Sequence, residues 1–128
     1  MALTKTARTL VASVSKAAAS ADIFGTIDLE ATYGGMLTIK MTNGATGPTV
    51  QCTANVLIAH NATLPAAAVA GADWKTMHTL GGGLGIGAVT EIAIPIDTSV
   101  MNLEVQFTGN TGQAVTVEAF LSELTSAV

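Results

Sequence analysis

The sequence contains one cysteine and two histidines, which are residue types that bind zinc: Cys52, His60 and His78. Zinc needs three or four converging ligands, and the spacing of these three residues fits no local metal motif. On one extended strand, Cys52 and His60 would lie roughly 26 Å apart. We therefore predict a buried, unreactive cysteine, two histidines near loops, and neither a metal nor another cofactor.

A glycine-rich run at residues 81–87 could bind phosphate through its backbone amides. It lacks the Gly-Lys-Ser or Gly-Lys-Thr that completes a phosphate loop. Gly83, Gly85 and Ala88 match a relaxed dinucleotide fingerprint in spacing only, because no strand and helix of a βαβ unit flank them. The run is predicted to be a flexible loop or an assembly loop.

Hydrolytic chemistry would need a nucleophile with its base or a pair of carboxylates, and neither is indicated. The Gly-x-Ser-x-Gly elbow of many serine hydrolases is missing from the sequence. Four carboxylates fall mainly on the polar faces of predicted strands, where we expect solvated charge: Glu91, Glu104, Glu118 and Glu123. We do not expect an enzyme.

Tyr33 and Trp74 are two of the five aromatic residues, and an exposed aromatic pair on a β-sandwich can stack on sugar rings. A carbohydrate-binding module is therefore an alternative function, although most such residues belong to a core. If it holds, Trp74 and Tyr33 should be exposed on one platform.

The chain has unusually few charged residues for a protein with a surface exposed to water. Hydrophobic residues make up 49% of the 128-residue chain and charged residues only 11%, against about 25% charged in an average soluble protein. No apolar run approaches the roughly 18 residues that span a bilayer. Lys5 and Arg8 precede only a short apolar stretch broken by Lys16, so we do not expect a signal peptide. Burial in an assembly best explains the missing charge.

The net charge of −4 and five scattered basic residues argue against nucleic-acid binding. The single cysteine excludes an intramolecular disulfide. The length fits one domain, divided as an N-terminal arm or first strand at residues 1–16 and a single β-sandwich domain at 17–128. The sandwich is expected to stay folded without the arm.

Apolar and polar residues alternate along short runs separated by Gly, Asn, Asp and Pro, which predicts strands. The runs lie at residues 8–15, 23–29, 36–41, 49–60, 74–80, 92–96, 101–107 and 115–119. Pro95 indicates an edge strand or a bulge. Seven to eight strands predict an all-β fold, an antiparallel β-sandwich. Gly109-Asn110-Thr111-Gly112 predicts a hairpin joining residues 101–108 to 113–120.

Two irregular segments, at residues 64–72 and 81–87, are apolar for exposed loops. Loops of monomers are usually polar, so we place contacts with neighbouring subunits there. Three of the five basic residues lie at 1–16, which predicts a weakly basic N-terminal arm that contacts an acidic partner surface, or alternatively a mobile solvated tail. A helical turn laid on the sandwich is the alternative for residues 64–72. The predicted interface residues are Lys5, Arg8, Leu10, Leu64, Val69, Leu84 and Ile86.

Strand and turn motifs at residues 6–13, 35–38, 42–49 and 105–120 resemble those of small structural proteins of tailed bacteriophages. The resemblance covers most of the chain. It implies a capsid cement or decoration protein with a β-sandwich or jelly-roll fold. It also implies a homotrimer on the capsid exterior that binds the major capsid protein and needs no catalytic residues. A tail, neck or fibre component of a phage is the alternative within this class.

Overall fold

The chain folds into eight β-strands in this computed structural model, which describes residues 3–67 and 73–127. The strands are β1 (Leu3–Lys16), β2 (Ile23–Asp28), β3 (Gly35–Asn43), β4 (Thr53–Ala59), β5 (Lys75–Gly81), β6 (Val89–Ile96), β7 (Asn102–Thr108) and β8 (Val115–Ala127). Within the described residues there is no helix that could cross a membrane. The all-β prediction is confirmed.

The strands form two antiparallel sheets of four. Sheet A has the order β1-β8-β3-β6 and sheet B the order β2-β7-β4-β5. Apart from β4 and β5, consecutive strands lie in different sheets, so the chain passes repeatedly from one layer to the other. This is the strand order of a jelly roll, an architecture of viral capsid, lectin and cupin domains. The predicted antiparallel β-sandwich is therefore confirmed.

The core lies between the two sheets and follows the alternation in the sequence. Leu37, Ile39 and Met41 of β3 are buried on one side, and Leu103, Val105 and Phe107 of β7 are buried opposite them. Such a strand can bury one face only if every second residue is apolar. The alternation therefore identifies the residues that hold the two layers together.

Pro95 lies in β6, which forms an edge of sheet A, as predicted for a residue that cannot donate a backbone hydrogen bond. The residue opposite Pro95 is Met36 of β3. An edge position lets proline remain in the sheet without breaking a ladder on both sides.

The prediction of a hairpin that joins residues 101–108 to 113–120 is wrong. β7 belongs to sheet B and β8 to sheet A, so their connection crosses between layers. Gly109 and Gly112 do have the positive φ of turn residues, but Thr111 pairs with Val50 of another loop. Glycine permits a chain reversal without determining which strand becomes the neighbour.

Two of the carboxylates predicted to be solvated are buried instead. Glu104 has no exposed surface and lies on β7 between Thr26 of β2 and Leu57 of β4. Glu123 of β8 is nearly buried, and its Oε2 accepts a hydrogen bond from Arg8 Nε at 2.7 Å. Period-two alternation separates two faces of a strand, but it does not show whether another segment covers the polar face.

β1 is an integral edge strand of sheet A that pairs with β8 over its length. Val11 belongs to the hydrophobic core, and Lys16 is buried with its ammonium donating to the Ser20 carbonyl at 3.2 Å. Removing residues 1–16 would uncover one side of β8 and part of the core. Of the two alternatives for residues 1–16, the structure has the first strand, and the folding of residues 17–128 without that strand stays a prediction.

Candidate interaction surface

Four loops gather at one end of the sandwich. The antiparallel registers place the end of β1, the start of β8, the end of β3 and the start of β6 at the same level. The loops that leave or enter these strand ends are residues 17–22, 44–52, 82–88 and 109–114. We call this set of loops the four-loop end.

Side-chain hydrogen bonds connect loop 82–88 to the end of β3 and to loop 44–52. Asn43, buried at the end of β3, donates from Nδ2 to the carbonyl oxygens of Gly83 at 3.2 Å and Gly85 at 2.9 Å. Gln51 Oε1 accepts a hydrogen bond from the Gly83 amide at 3.1 Å. These bonds fix the backbone on both sides of Leu84, so the loop predicted to be flexible or assembling has a defined conformation.

Loops 17–22, 44–52 and 109–114 are joined in the same way. The Asn110 carbonyl accepts from the Ala19 amide at 2.9 Å, and Asn110 Nδ2 donates to the Lys16 carbonyl at 3.0 Å. The hydroxyls of Thr49 and Thr111 lie 2.8 Å apart. The four-loop end is therefore a connected, hydrogen-bonded surface.

Large apolar side chains at this end face solvent. Ile86 is 76% exposed, Leu84 56%, Val50 52%, and Val89, the first residue of β6, 50%. Leu84 and Ile86 were predicted from the apolar composition of their loop. The strand predicted at residues 49–60 would place Val50 on the same face as Cys52, but β4 begins only at Thr53 and the buried alternation starts at Cys52.

Charge is almost missing from the four-loop end. Its one charged residue is Asp22, which is half-buried and accepts a hydrogen bond from Gln106 Nε2 at 3.2 Å. The exposed apolar side chains at this end lie among uncharged polar residues, so their contact with another uncharged surface removes apolar area from water without burying a charge.

The other predicted interface residues lie elsewhere. Lys5, Arg8 and Leu10 are on β1, and Leu10 packs against the core. Leu64 is half-buried in the β4–β5 connection, at the opposite end of the sandwich from the four-loop end. Val69 lies outside the described residues. The predicted set therefore does not form one surface.

The basic residues of the N-terminal arm do not form one exposed basic surface. Lys16 is buried, and Arg8 forms an ion pair with Glu123 inside the chain. Lys5 is left as the exposed basic residue of β1 without an ion pair among the described residues. A single lysine does not make a patch that would attract an acidic partner.

No family model matches the sequence, and no curated protein matches it. Eight chains of solved structures match. One is titled "Structure of infectious bursal disease virus Gx strain"; it aligns with 94% of this chain at 12% identity and a TM-score of 0.45. The matched region is 32% of that viral chain. At this identity and TM-score, nothing about function follows from the likeness.

The aromatic pair proposed for sugar binding does not form a platform. Trp74 is buried, and its Nε1 donates to the Ala66 carbonyl at 3.1 Å. Tyr33 is exposed in the β2–β3 connection. A stacking platform needs an exposed ring face on each of the two residues, and Trp74 is buried.

The candidate metal ligands do not converge. Cys52 is fully buried at the start of the inward alternation, His60 is exposed after β4, and His78 is half-buried in β5. In the part of the chain that the structure describes, no three His, Cys, Asp or Glu side chains group as a metal site. Burial raises the pKa of the Cys52 thiol, which disfavours the reactive thiolate.

We expect Cys52 to react with DTNB at pH 8 at least ~100-fold more slowly than an exposed cysteine, because the reagent must wait for local opening. The rate is read from the absorbance of the released thiolate. The Cys52→Ser/Ser122→Cys variant, with an exposed thiol on β8, is the control. Equal rates for the native protein and this variant would show that Cys52 is accessible.

Proposed function

We propose that the protein is a structural component of a virion, a capsid cement or decoration protein. In this role it assembles as a homotrimer, binds the major capsid protein on the capsid exterior and stabilises contacts between capsomers. It works by packing and has no catalytic step. The proposal rests on the residues of the four-loop end and on the architecture that holds them.

The observation that carries the proposal is the ordered apolar surface at the four-loop end. Leu84 and Ile86 are exposed on a loop whose backbone is fixed by Asn43 and Gln51. A monomer in water gains nothing by fixing two large apolar side chains in solvent. Association with a protein surface would bury them without the entropic cost of ordering the loop.

The architecture is consistent with this role. Jelly rolls occur in viral capsid domains, although they also occur in lectins and cupins, so the fold alone does not select the function. The sequence resemblance to small structural proteins of tailed bacteriophages favours the virion. The small share of charged residues fits a chain that works within an assembly. Many copies on one shell would raise the avidity of individually modest contacts.

The test is co-sedimentation with capsids of the encoding phage that lack this protein. We expect saturable binding with a fixed number of copies per capsid and a higher melting temperature of the decorated shell, measured by calorimetry. Bovine serum albumin at equal concentration controls for trapping in the pellet. Absence of binding to capsids contradicts the cement function, and binding to isolated tails instead would favour the tail, neck or fibre alternative.

A further inference from the structure

We infer that the four-loop end binds the same end of other copies of this chain, so that copies associate through Leu84 and Ile86. This inference rests on the proposed structural function and names the surface that joins the copies. It concerns the contact between copies, and the contact with the capsid has its own test.

The shape of loop 82–88 allows close approach of a second protein. Glycines alternate with Leu84 and Ile86, and Gly83 and Gly87 have positive φ values of 74° and 60°. A Cβ placed on either of these glycines would meet no atom within 4 Å. Their backbone therefore faces open space, and a neighbouring chain can reach it without steric hindrance.

The chemistry of the four-loop end fits a permanent contact between copies. The cores of homodimer interfaces are more apolar than those of transient complexes and are depleted in charged residues. Here the one charge, Asp22, already accepts a hydrogen bond inside the chain. Ile86, Leu84 and Val50 would lose their exposed apolar surface on contact.

Charge complementarity selects the partner surface. Within the four-loop end, Asp22 is hydrogen-bonded to Gln106 and the buried Lys16 ammonium to Ser20. A charged group of a partner buried against the exposed Leu84 and Ile86 would therefore lose hydration without an opposite charge beside it, which is costly. The outer face of sheet A carries Lys40, Glu91 and Glu118, and the opposite end carries Glu30 and Asp97. Among these surfaces of the described residues, the four-loop end itself is the one that offers an uncharged match.

The test compares the full chain with its Ile86→Asp variant by light scattering over a dilution series. We expect the native protein to be an oligomer. The dissociation constant of the variant should be at least ~100-fold higher than that of the native protein, since a buried unpaired carboxylate opposes association. Tyr33→Asp, which places the same charge at an exposed apolar site on the opposite end, is the matched control and should leave the mass unchanged. Circular dichroism verifies that each variant is folded.

Three outcomes would overturn the inference. They are a monomer at every concentration, an oligomer that Ile86→Asp leaves intact, and equal dissociation by Tyr33→Asp. Flotation with neutral phosphatidylcholine vesicles is run in parallel, and a monomer that floats would assign the surface to lipid. Capsid co-sedimentation separates the two proposals. A monomer that binds capsids contradicts this inference and the homotrimer but not the binding to capsids, whereas an oligomer joined at the four-loop end that does not bind capsids contradicts only the virion function.

Discussion

Replacing Phe107 by alanine is expected to lower the free energy of unfolding by about 3 to 5 kcal/mol, the range for large aromatic residues in a core. Phe107 has no exposed surface and lies on β7 between Ile23 of β2 and Ala54 of β4. Its ring fills space between the two sheets, so truncation leaves a cavity as well as losing apolar contact. Equilibrium denaturation in urea measures the change.

Tyr33→Ala is the matched control for this experiment, because Tyr33 is a large aromatic residue with 48% of its surface exposed. It should cost under about 1 kcal/mol. A similarly small loss for Phe107→Ala would mean that the face of β7 carrying Leu103, Val105 and Phe107 does not form the core.

Asn110→Ala is expected to destabilise the fold by about 2 to 4 kcal/mol, although the residue lies in a loop. Its Nδ2 donates to the carbonyl oxygens of Lys16 and Gln113, each at 3.0 Å. Alanine would leave the carbonyl of Lys16, which is buried, and that of Gln113, which is partly buried, without this donor. Each loss costs about 1 to 3 kcal/mol. Urea denaturation again provides the measurement.

Asn55→Ala serves as the comparison for Asn110. Asn55 is half-buried on β4, and its Nδ2 donates to Gln106 Oε1 at 3.3 Å. Because water can replace this partner, the loss should stay below about 1 kcal/mol. If the two alanine variants lose equal stability, Asn110 does not clamp the loops.

Much of the fold could be predicted from the sequence because a strand buried on one face must alternate. Leu103, Val105 and Phe107 show the alternation clearly, and all three are in the core. Strand neighbours could not be predicted in this way, since pairing depends on contacts far apart in the chain. Asn110 illustrates the point: its sequence context is typical of a hairpin turn, but its side chain links β1 to the β7–β8 connection.

The candidate surface could be predicted only in part. Leu84 and Ile86 stand out because they are large apolar residues between glycines, where no regular element can bury them. Val50 and Val89 carry no such signal, because a valine at the border of a strand pattern is as typical of a buried core position as of an exposed one. Leu10, by contrast, was assigned to the interface and packs against the core. The sequence does not show where the four loops meet.

The position of β8 between β1 and β3 constrains how the chain folds. Arg8 and Glu123 pair across 115 positions of sequence, and Leu3 lies opposite Ala127. Sheet A therefore cannot close until its last strand is available, and β1 and β3 lack a common neighbour until then. Contacts this distant in sequence are associated with slow folding. Chains that emerge together at high concentration thus have time to present unpaired strand edges to one another before each can complete its own sheet.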